Sequence, residues 1–302
     1  MTARAEPIGA PVWFAPLRAP SWLVPRVRDD AARVVFCAEA WKGQPVGGAG
    51  RDLRLGLPLY LAEAARFGTD SRPVALRHPV EPRDALPEAP VVVRSAVSPG
   101  GRGAILVRVS DLGGARVAEI AREATDEATL GDALGGLPRA VAEAASRGGV
   151  RPVWDSMYAL PGGSPLASYV RGSHACLRVT DEALSASADA EAIASRRADV
   201  RSVLTTLGSL ATSTSEPFPA LLFFGALLAA RDAGSPVVGE FRMPANVRCT
   251  AATDPLDPVY AMAALVMRVF GDLEASERRI ELLWESGDPS MRRWLARVQA
   301  VT

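Results

Sequence analysis

The sequence predicts an α+β fold, in which a small mixed α/β domain precedes an all-helical domain. Residues 89–147 alternate apolar strands with glycine-containing turns and close with an amphipathic helix. Beyond residue 149 the apolar residues recur at the spacing typical of helices. The predicted divisions are a Pro-rich N-terminal arm (1–30), an α/β domain (31–150) and a helical domain (151–302).

The composition is that of a globular protein with room for two ordinary domains. The chain has 302 residues, of which 48% are hydrophobic and 23% charged. Its formal net charge is zero, so nothing favours nucleic acid or an anionic membrane as a partner. Cys37, Cys176 and Cys249 are widely separated and lack metal-type spacing, which indicates buried thiols in a reducing compartment. The N-terminus lacks a signal-peptide pattern, so the sequence predicts a cytoplasmic protein.

The predicted α/β domain has the element order β-α-β-β-β-β-α. Arg33–Ala40 and Val74–Arg77 are apolar runs of strand type on either side of a helix that ends near Phe67. The start of this helix stays open between Arg51 and Leu57, because its leucines alternate like a strand before they adopt helical spacing. The remaining elements are a strand at Val91–Val97, a Gly-rich hairpin at 98–103, a strand at 105–110, a turn at 111–114, a strand at Ala115–Glu123 and a helix at Leu130–Ala145.

The strand at 105–110 has the clearest alternation in this domain. Ile105, Val107 and Val109 alternate with Leu106 and Arg108. Successive side chains of a strand point to opposite faces of the sheet. The pattern therefore predicts that the first three side chains share one buried face.

The second half is predicted to contain helices only, apart from one ambiguous segment. The apolar stretch Pro219–Ala230 is too short to span a bilayer, so it is predicted to be a buried core helix. Val237–Cys249 fits either a short strand or an irregular loop. The other predicted helices lie near 166–177, 193–211, 258–270, 273–286 and 289–299.

The first half resembles the N-terminal α/β domain of TolB-like and FlgO-like proteins. That family has an apolar strand before a helix, then a valine-rich strand, a glycine hairpin, and an alternating strand that ends in Asp and a glycine turn. These parts fall on Val34–Phe36, Val92–Val97, Gly100–Gly103, Val107–Asp111 with Gly113–Gly114, and Leu130–Ala145. Ser95 stands where the family usually has glycine. The resemblance implies a bacterial protein that binds or assembles other proteins, with no catalytic residues to carry over.

The C-terminal helices are similar to a degenerate tetratricopeptide repeat. Gly271-Asp272-Leu273 sits at a predicted helix turn, and Leu283 and Pro289 match the close of such a repeat. The distance from the glycine to the proline is one residue longer than in the repeat. The resemblance implies a helical-hairpin array that binds protein partners.

A glycine-rich segment is the candidate for anion or nucleotide binding. Gly47, Gly48, Gly50 and Arg51 follow a predicted strand and precede a helix, and free N–H groups at a helix N-terminus attract anions. Leu53 stands where the third glycine of a dinucleotide fingerprint belongs, and no P-loop is present. A plain loop is the competing interpretation.

The sequence indicates no catalytic constellation, no metal site and no cofactor. The two histidines are His78, in a predicted turn, and His174, two residues before Cys176. Residues two apart on a helix point in different directions, so His174 and Cys176 do not form a couple. An enzyme built on carboxylates alone is the third and weakest hypothesis.

Tryptophan and arginine side chains are the candidates for partner binding. These two residue types are enriched at the centres of protein interfaces. For Trp294, a place in the helical core is the competing interpretation. The candidates are Trp13 and Trp22 in the Pro-rich arm, and Trp284, Arg292, Arg293 and Trp294 near the C-terminus.

The leading functional hypothesis is a non-enzymatic scaffold or adaptor within a larger bacterial complex. It would bind protein partners, or further copies of itself, through the helical half. The alternative is a regulator that responds to a small ligand or nucleotide at residues 47–51. Neither hypothesis involves nucleic acid or a membrane span.

Overall fold

The strands of the first half form a six-stranded mixed sheet. The computed structural model describes residues 7–19, 21–40, 48–81, 84, 86–98, 103–111, 114–154, 158–184, 190–287 and 289–300. The strand order is β1-β3-β2-β4-β5-β6, with β2 parallel to β3 and β4 and the other neighbours antiparallel. The strands are β1 (Pro7–Ile8), β2 (Arg33–Ala38), β3 (Arg72–Leu76), β4 (Val91–Val97), β5 (Gly103–Asp111) and β6 (Arg116–Ala124).

The alternation predicted for β5 is confirmed. Ile105, Val107 and Val109 are buried, whereas Leu106 and Arg108 are only partly covered. Arg108 pairs at 3.0 Å with Glu119 on the neighbouring β6 and with Glu39 just after β2. The predicted hairpin at 98–103 and the turn at 111–114 lie mostly outside the described residues, at 99–102 and 112–113.

Three helices pack on this sheet. They are α1 (Gly48–Gly68), α2 (Glu127–Gly135) and α3 (Leu137–Ala145). The helix α1 joins the parallel strands β2 and β3 and begins before either predicted start. The single helix predicted for 130–145 is instead two, because Gly135-Gly136 weakens its middle and Pro138 suits the first turn of a new helix.

The structure divides into two compact units, each of which is discontinuous in sequence. The sheet unit comprises residues 1–11 and 26–175, and the helical unit comprises residues 12–25 and 176–302. Residues 163–175 belong to α4 (Gly163–Leu184) and pack within the sheet unit. At Gly56 of α1, an added Cβ would lie only 1.9 Å from the carbonyl oxygen of Val170. This glycine therefore lets α1 and α4 pack closely, and the predicted domain bounds 1–30, 31–150 and 151–302 stay predictions.

The core of the helical unit is built from two helices that are apolar on every side. These are α6 (Pro217–Asp232) and α8 (Pro258–Val269), which contact each other and are buried from Phe218 to Ala230 and from Val259 to Met267. The prediction of a buried helix at 219–230 is confirmed. The surrounding helices are α5 (Ala190–Ser213), α7 (Arg242–Ala251), α9 (Leu273–Ser286) and α10 (Pro289–Gln299).

Part of the Pro-rich segment is buried in the core of the helical unit. Residues 12–25 belong to the helical unit, where Trp13 and Leu17 are fully buried. Trp13 packs beside Phe218 and so closely over Gly225 that a Cβ there would be 3.0 Å from the Trp13 Cα. Tertiary burial of these large side chains anchors the segment despite its lack of a periodic pattern.

Residues 237–249 form neither the strand nor the irregular loop predicted for them. A 3₁₀ turn at Pro236–Phe241 leads directly into α7. Phe241, Ala245 and Cys249 are buried at intervals of one helical turn, whereas Met243 and Val247 are exposed. Because Met243 and Val247 are apolar although they lie on the exposed side of α7, the sequence does not show the apolar spacing typical of a helix.

The coarse prediction of a mixed α and β chain is confirmed. None of the helices within the described ranges is both long and apolar enough to cross a membrane.

Candidate functional site

The glycine-rich segment is largely helical where it is described. Gly48, Gly50 and Arg51 lie in the first turn of α1, and Gly47 lies outside the described residues. Asp52 follows in the second turn of α1, and its carboxylate contacts His174. Anion or nucleotide binding by residues 47–51 stays a prediction.

His174 is held by a carboxylate that the sequence did not suggest as its partner. Its Nδ1 lies 2.6 Å from Oδ1 of Asp52, and both side chains are largely buried. The neighbouring Ser173 donates its hydroxyl to the carbonyl of Tyr169, one turn back in α4. The pair therefore joins α1 to α4 inside the sheet unit. Because the Ser173 hydroxyl group is bonded within α4, Ser173 is not positioned as a nucleophile that His174 could activate. His78, as predicted, is exposed in a bend.

The three cysteines are free and fully buried, as predicted for structural thiols. Burial raises the pKa of Cys37, Cys176 and Cys249 to about 12 in each case. The thiolate is the reactive form of cysteine. These side chains are therefore unsuited to nucleophilic chemistry near neutral pH.

A buried carboxylate on α1 gathers two tyrosine hydroxyl groups. Glu63 is 4% exposed and accepts hydrogen bonds from Tyr169 (2.5 Å) and Tyr158 (3.2 Å). Tyr158 also stacks on Phe67 with ring centroids 4.7 Å apart. Burial, assisted by the charge of Glu63, raises the pKa of Tyr158 well above its usual range. The Tyr158 hydroxyl group thus remains a protonated donor, and the cluster connects α1, α4 and the segment before α4.

Most of the tryptophans proposed for partner binding are used internally. Trp13 and Trp294 are at most 1% exposed, so neither indole is presented to a partner. Trp22 is half-buried and meets Trp294 edge-on, with ring centroids 6.5 Å apart. For Trp294 the core interpretation is confirmed. Burial of an indole side chain is strongly favourable. In this protein that effect explains the position of Trp294 better than the enrichment of tryptophan at protein interfaces does.

The remaining candidates lie on the surface of the last two helices. Trp284 is 39% exposed near the end of α9, and Arg292 and Arg293 are exposed on α10. The Nε of Arg292 donates to the carbonyl of Trp284 at 3.1 Å, which satisfies one of the orphan carbonyls at the end of α9. The Arg292 side chain therefore stabilises the end of α9, whereas the side chains of Trp284 and Arg293 are exposed to solvent.

Among the described residues of the helical unit, Leu256 and Met243 are the most exposed large apolar side chains. Met243 and Val247 are 72% and 51% exposed, one turn apart on α7, and Leu256 is 83% exposed in the loop that follows. This loop is ordered by Asp254, whose carboxylate accepts from the Leu256 N–H at 2.9 Å. We call residues 243–256 the apolar segment. It was missed in the sequence because the α7 helix itself was missed.

The buried side of α7 is fixed by arginine. Arg248 is 7% exposed and donates to the carbonyl groups of Ser215 and Glu216, just before α6. Arg279 of α9 donates to the carbonyl groups of Cys249 and Ala252 at the end of α7. The apolar segment is therefore presented on a rigid support.

No protein-family model matches the sequence, and no curated protein is significantly similar to it. Among the described residues, no group of three or more His, Cys, Asp or Glu side chains is arranged to hold a metal ion. The geometry of the described side chains thus carries the functional conclusion. His174 and Glu63 are engaged in internal contacts, whereas Met243, Val247 and Leu256 are exposed to solvent.

Proposed function

We propose that this chain is a non-enzymatic protein-binding and assembly protein, a scaffold or adaptor within a larger bacterial complex. The exposure of Met243, Val247 and Leu256 carries the proposal. Met243 and Val247 are neighbours on one face of α7, and neighbouring exposed apolar side chains on an ordered surface are typical of protein-interaction sites. Each of these side chains would be buried by a partner, at a gain of about 1.5–3 kcal/mol per side chain.

The partner that fits this surface is a protein segment with an apolar face of its own. Met243 and Val247 form a short stripe along α7, and methionine adapts its shape to different apolar partners. The anchoring of α7 by Arg248 and Arg279 pre-organises the stripe, which lowers the entropy lost on binding.

The TolB-like and FlgO-like character of the sheet unit is part of the same proposal. The order β2-α1-β3-β4-β5-β6, followed by α2 and α3, supports it. A tetratricopeptide-like character of the α9–α10 hairpin is proposed on the same grounds, with Gly271 turning the chain before α9. Both relationships imply protein assembly.

The proposal is tested by photo-crosslinking in cells that express the chain. A photoreactive phenylalanine analogue replaces Val247, and the matched control replaces Leu282, which is 54% exposed on α9. We expect one saturable adduct from position 247, lost when Met243→Glu is added. An adduct at twice the mass of the chain would identify self-association as the form of assembly.

Two results would argue against protein binding by the apolar segment. One is the same set of adducts from positions 247 and 282. The other is an adduct at 247 that persists in the Met243→Glu variant. Because Met243 and Val247 are exposed, their replacement by Glu should change the free energy of unfolding by no more than about 0.5 kcal/mol.

A further inference from the structure

The last strand of the sheet has an open edge that the proposed protein-binding role does not use. Within the described part of the chain, β6 pairs with β5 on one side and with no strand on the other. It is 9 residues long and contains no proline. Glu119, Ala121, Arg122 and Glu123 are exposed to solvent. A long edge strand of this kind is a template on which another strand can pair.

The backbone groups that face this open side follow from the hydrogen bonds of the neighbouring hairpin. The N–H of Ser98 donates to the carbonyl of Ala104 at 2.9 Å, so Ala104 is bonded toward β4. The direction of the hydrogen bonds alternates along an antiparallel strand, so Ile105 is bonded toward β6 and its register partner Arg122 toward β5. Residues 119, 121 and 123 of β6 therefore direct their N–H and C=O groups away from the sheet.

Two arginine side chains show the same outward direction. Arg122 donates to the carbonyl of Ala121 at 2.9 Å, and Arg147 donates to the carbonyl of Val117 at 3.2 Å. These carbonyl groups thus accept a side chain where the N–H of a further strand would donate. Both arginines are exposed, and a carbonyl oxygen has two lone pairs, so a strand N–H can join or replace each of them.

The charges of β6 restrict how a second copy of the chain can pair with it. Two antiparallel strands related by a two-fold axis place one residue opposite its own counterpart. An axis at Glu119 or Glu123 puts two carboxylates opposite each other, and an axis at Arg122 does the same with two guanidinium groups. An axis at Ala121 puts Glu119 opposite Glu123. Like charges directly opposite each other destabilise a sheet. An axis nearer the start of β6 centres the pairing on the irregular register at residues 116–118.

An axis at Ile120 avoids these conflicts. Glu119 then lies opposite Ala121, and Arg122 lies opposite Ala118. The outward N–H and C=O groups of residues 119 and 121 face each other, as an antiparallel ladder requires. Ile120 is half-buried in one copy, and contact with its own counterpart covers more of its apolar surface.

We propose that this edge binds a second copy of the chain, with the two β6 strands antiparallel about an axis at Ile120. The two six-stranded sheets then form one continuous sheet. A formal net charge of zero leaves no long-range repulsion between the copies. Glu119 is already paired with Arg108 and Arg116 of its own chain, which offsets its charge near the axis. The contact lies in the sheet unit, so it adds a dimer to the proposed function without using the apolar segment.

The first test is sedimentation equilibrium of the full chain, for which we expect a reversible monomer–dimer equilibrium. Ala121→Pro removes an outward N–H, and proline is tolerated on an edge strand where the N–H faces solvent. Its matched control, Ala121→Ser, keeps that N–H. We expect Ala121→Pro to raise the dissociation constant of the dimer at least about tenfold, because one hydrogen bond is lost on each side of the axis. Ala121→Ser should change it less than about twofold. Thermal unfolding verifies that both variants are folded.

Cysteine substitution tests the register independently of the proline variant. In the proposed dimer the two Ile120 residues form a non-hydrogen-bonded pair with Cα atoms about 4.5 Å apart, which a disulfide can bridge. Ile120→Cys should therefore give a disulfide-linked dimer with oxidised glutathione, read by intact mass. The matched control is Ala118→Cys, which lies opposite Arg122 and too far from its own counterpart. The native cysteines are buried, so they do not contribute a cross-link.

Three results would overturn the proposal: a chain that stays monomeric at every concentration, an Ala121→Pro variant that dimerises as tightly as the parent, or equal cross-linking from positions 118 and 120. The proposed function is judged separately. A monomeric chain that still gives a saturable adduct with another protein at Val247 would support protein binding and exclude the dimer. A dimer that Met243→Glu breaks and Ala121→Pro does not would place self-association on the apolar segment instead.

Discussion

The indole nitrogen of Trp294 donates a hydrogen bond to the backbone carbonyl of Arg18 at 3.0 Å. These residues are 276 positions apart, so the last helix of the helical unit holds the turn near the N-terminus. The ring of Trp22 also packs edge-on against the indole ring of Trp294. The contact explains how an aperiodic, proline-rich segment becomes part of a helical core.

Replacing Trp294 by Phe should lower the free energy of unfolding by about 1–3 kcal/mol, because the Arg18 carbonyl loses its donor and the smaller ring leaves a gap. Urea denaturation measures the change. The matched control is Trp284→Phe, where 39% of the side chain is exposed. It should stay within about 0.5 kcal/mol of the parent. Equal losses in the two variants would contradict the contact.

Gly56→Ala should destabilise the protein although alanine is the better helix former. The added Cβ would lie 1.9 Å from the Val170 carbonyl oxygen, so α1 and α4 must move apart. We expect a loss of about 1–3 kcal/mol, the usual cost of an overpacked core. The matched control is Gly135→Ala at the end of α2, where the new Cβ would make an ordinary contact of 3.6 Å with Leu166. A stabilised Gly56→Ala variant would show that the two helices are farther apart.

Glu127 should contribute stability at neutral pH that is lost in acid. Two hydrogen bonds of 2.7 Å from Arg171 lower the pKa of its carboxyl group, and the charge of Arg171 adds to the effect. A lowered pKa in the folded state stabilises it above the unfolded value of about 4.3, and this contribution is lost as the pH falls through the folded value. Glu127→Gln should therefore be less stable than the parent at pH 7, with a difference that shrinks below about pH 4.

The measurement for Glu127 is the urea midpoint of both proteins from pH 7 to pH 3. Glu143→Gln, which removes an exposed carboxylate from α3, is the matched control and should lower the pH 7 midpoint by less. A difference between Glu127→Gln and the parent that grows as the pH falls would contradict the assigned pairing.

The three cysteines should react with a thiol reagent only when the chain unfolds. Burial raises each pKa from 9 to about 12, which lowers the thiolate fraction about 1000-fold near neutral pH. Timed alkylation with iodoacetamide at pH 8, read by intact mass, measures the effect. Native protein should stay unmodified while urea-unfolded protein gains three adducts. Rapid labelling of the native chain would place a thiol at the surface.

The elements that were predicted well have patterns that repeat within a few residues. The alternation of Ile105, Val107 and Val109 identified a buried strand face, and the continuous apolar stretch of α6 identified a core helix. The bounds of α9 and α10 coincide with the predicted ones, because Gly271 and Pro289 mark the two helix starts by local backbone preference. Each of these signals acts over one or two turns of chain.

The features that the sequence did not predict are contacts between residues far apart in the chain, and one helix that lacks a regular apolar spacing. Asp52 lies 122 positions from His174, and Glu63 lies 106 from Tyr169. Neither pairing has a local pattern. The same holds for the exposed apolar side of α7, where Met243 and Val247 obscured the helical period.

By itself the sequence determined the mixed α and β character, the strand faces and the helix bounds at the C-terminus, since backbone preference and apolar spacing are local properties. The tertiary structure alone decided that Trp13 and Trp294 are core residues and that Met243 and Val247 are surface residues. Which side chains meet, and which remain in water, depends on how helices pack, and packing joins residues that the chain keeps apart.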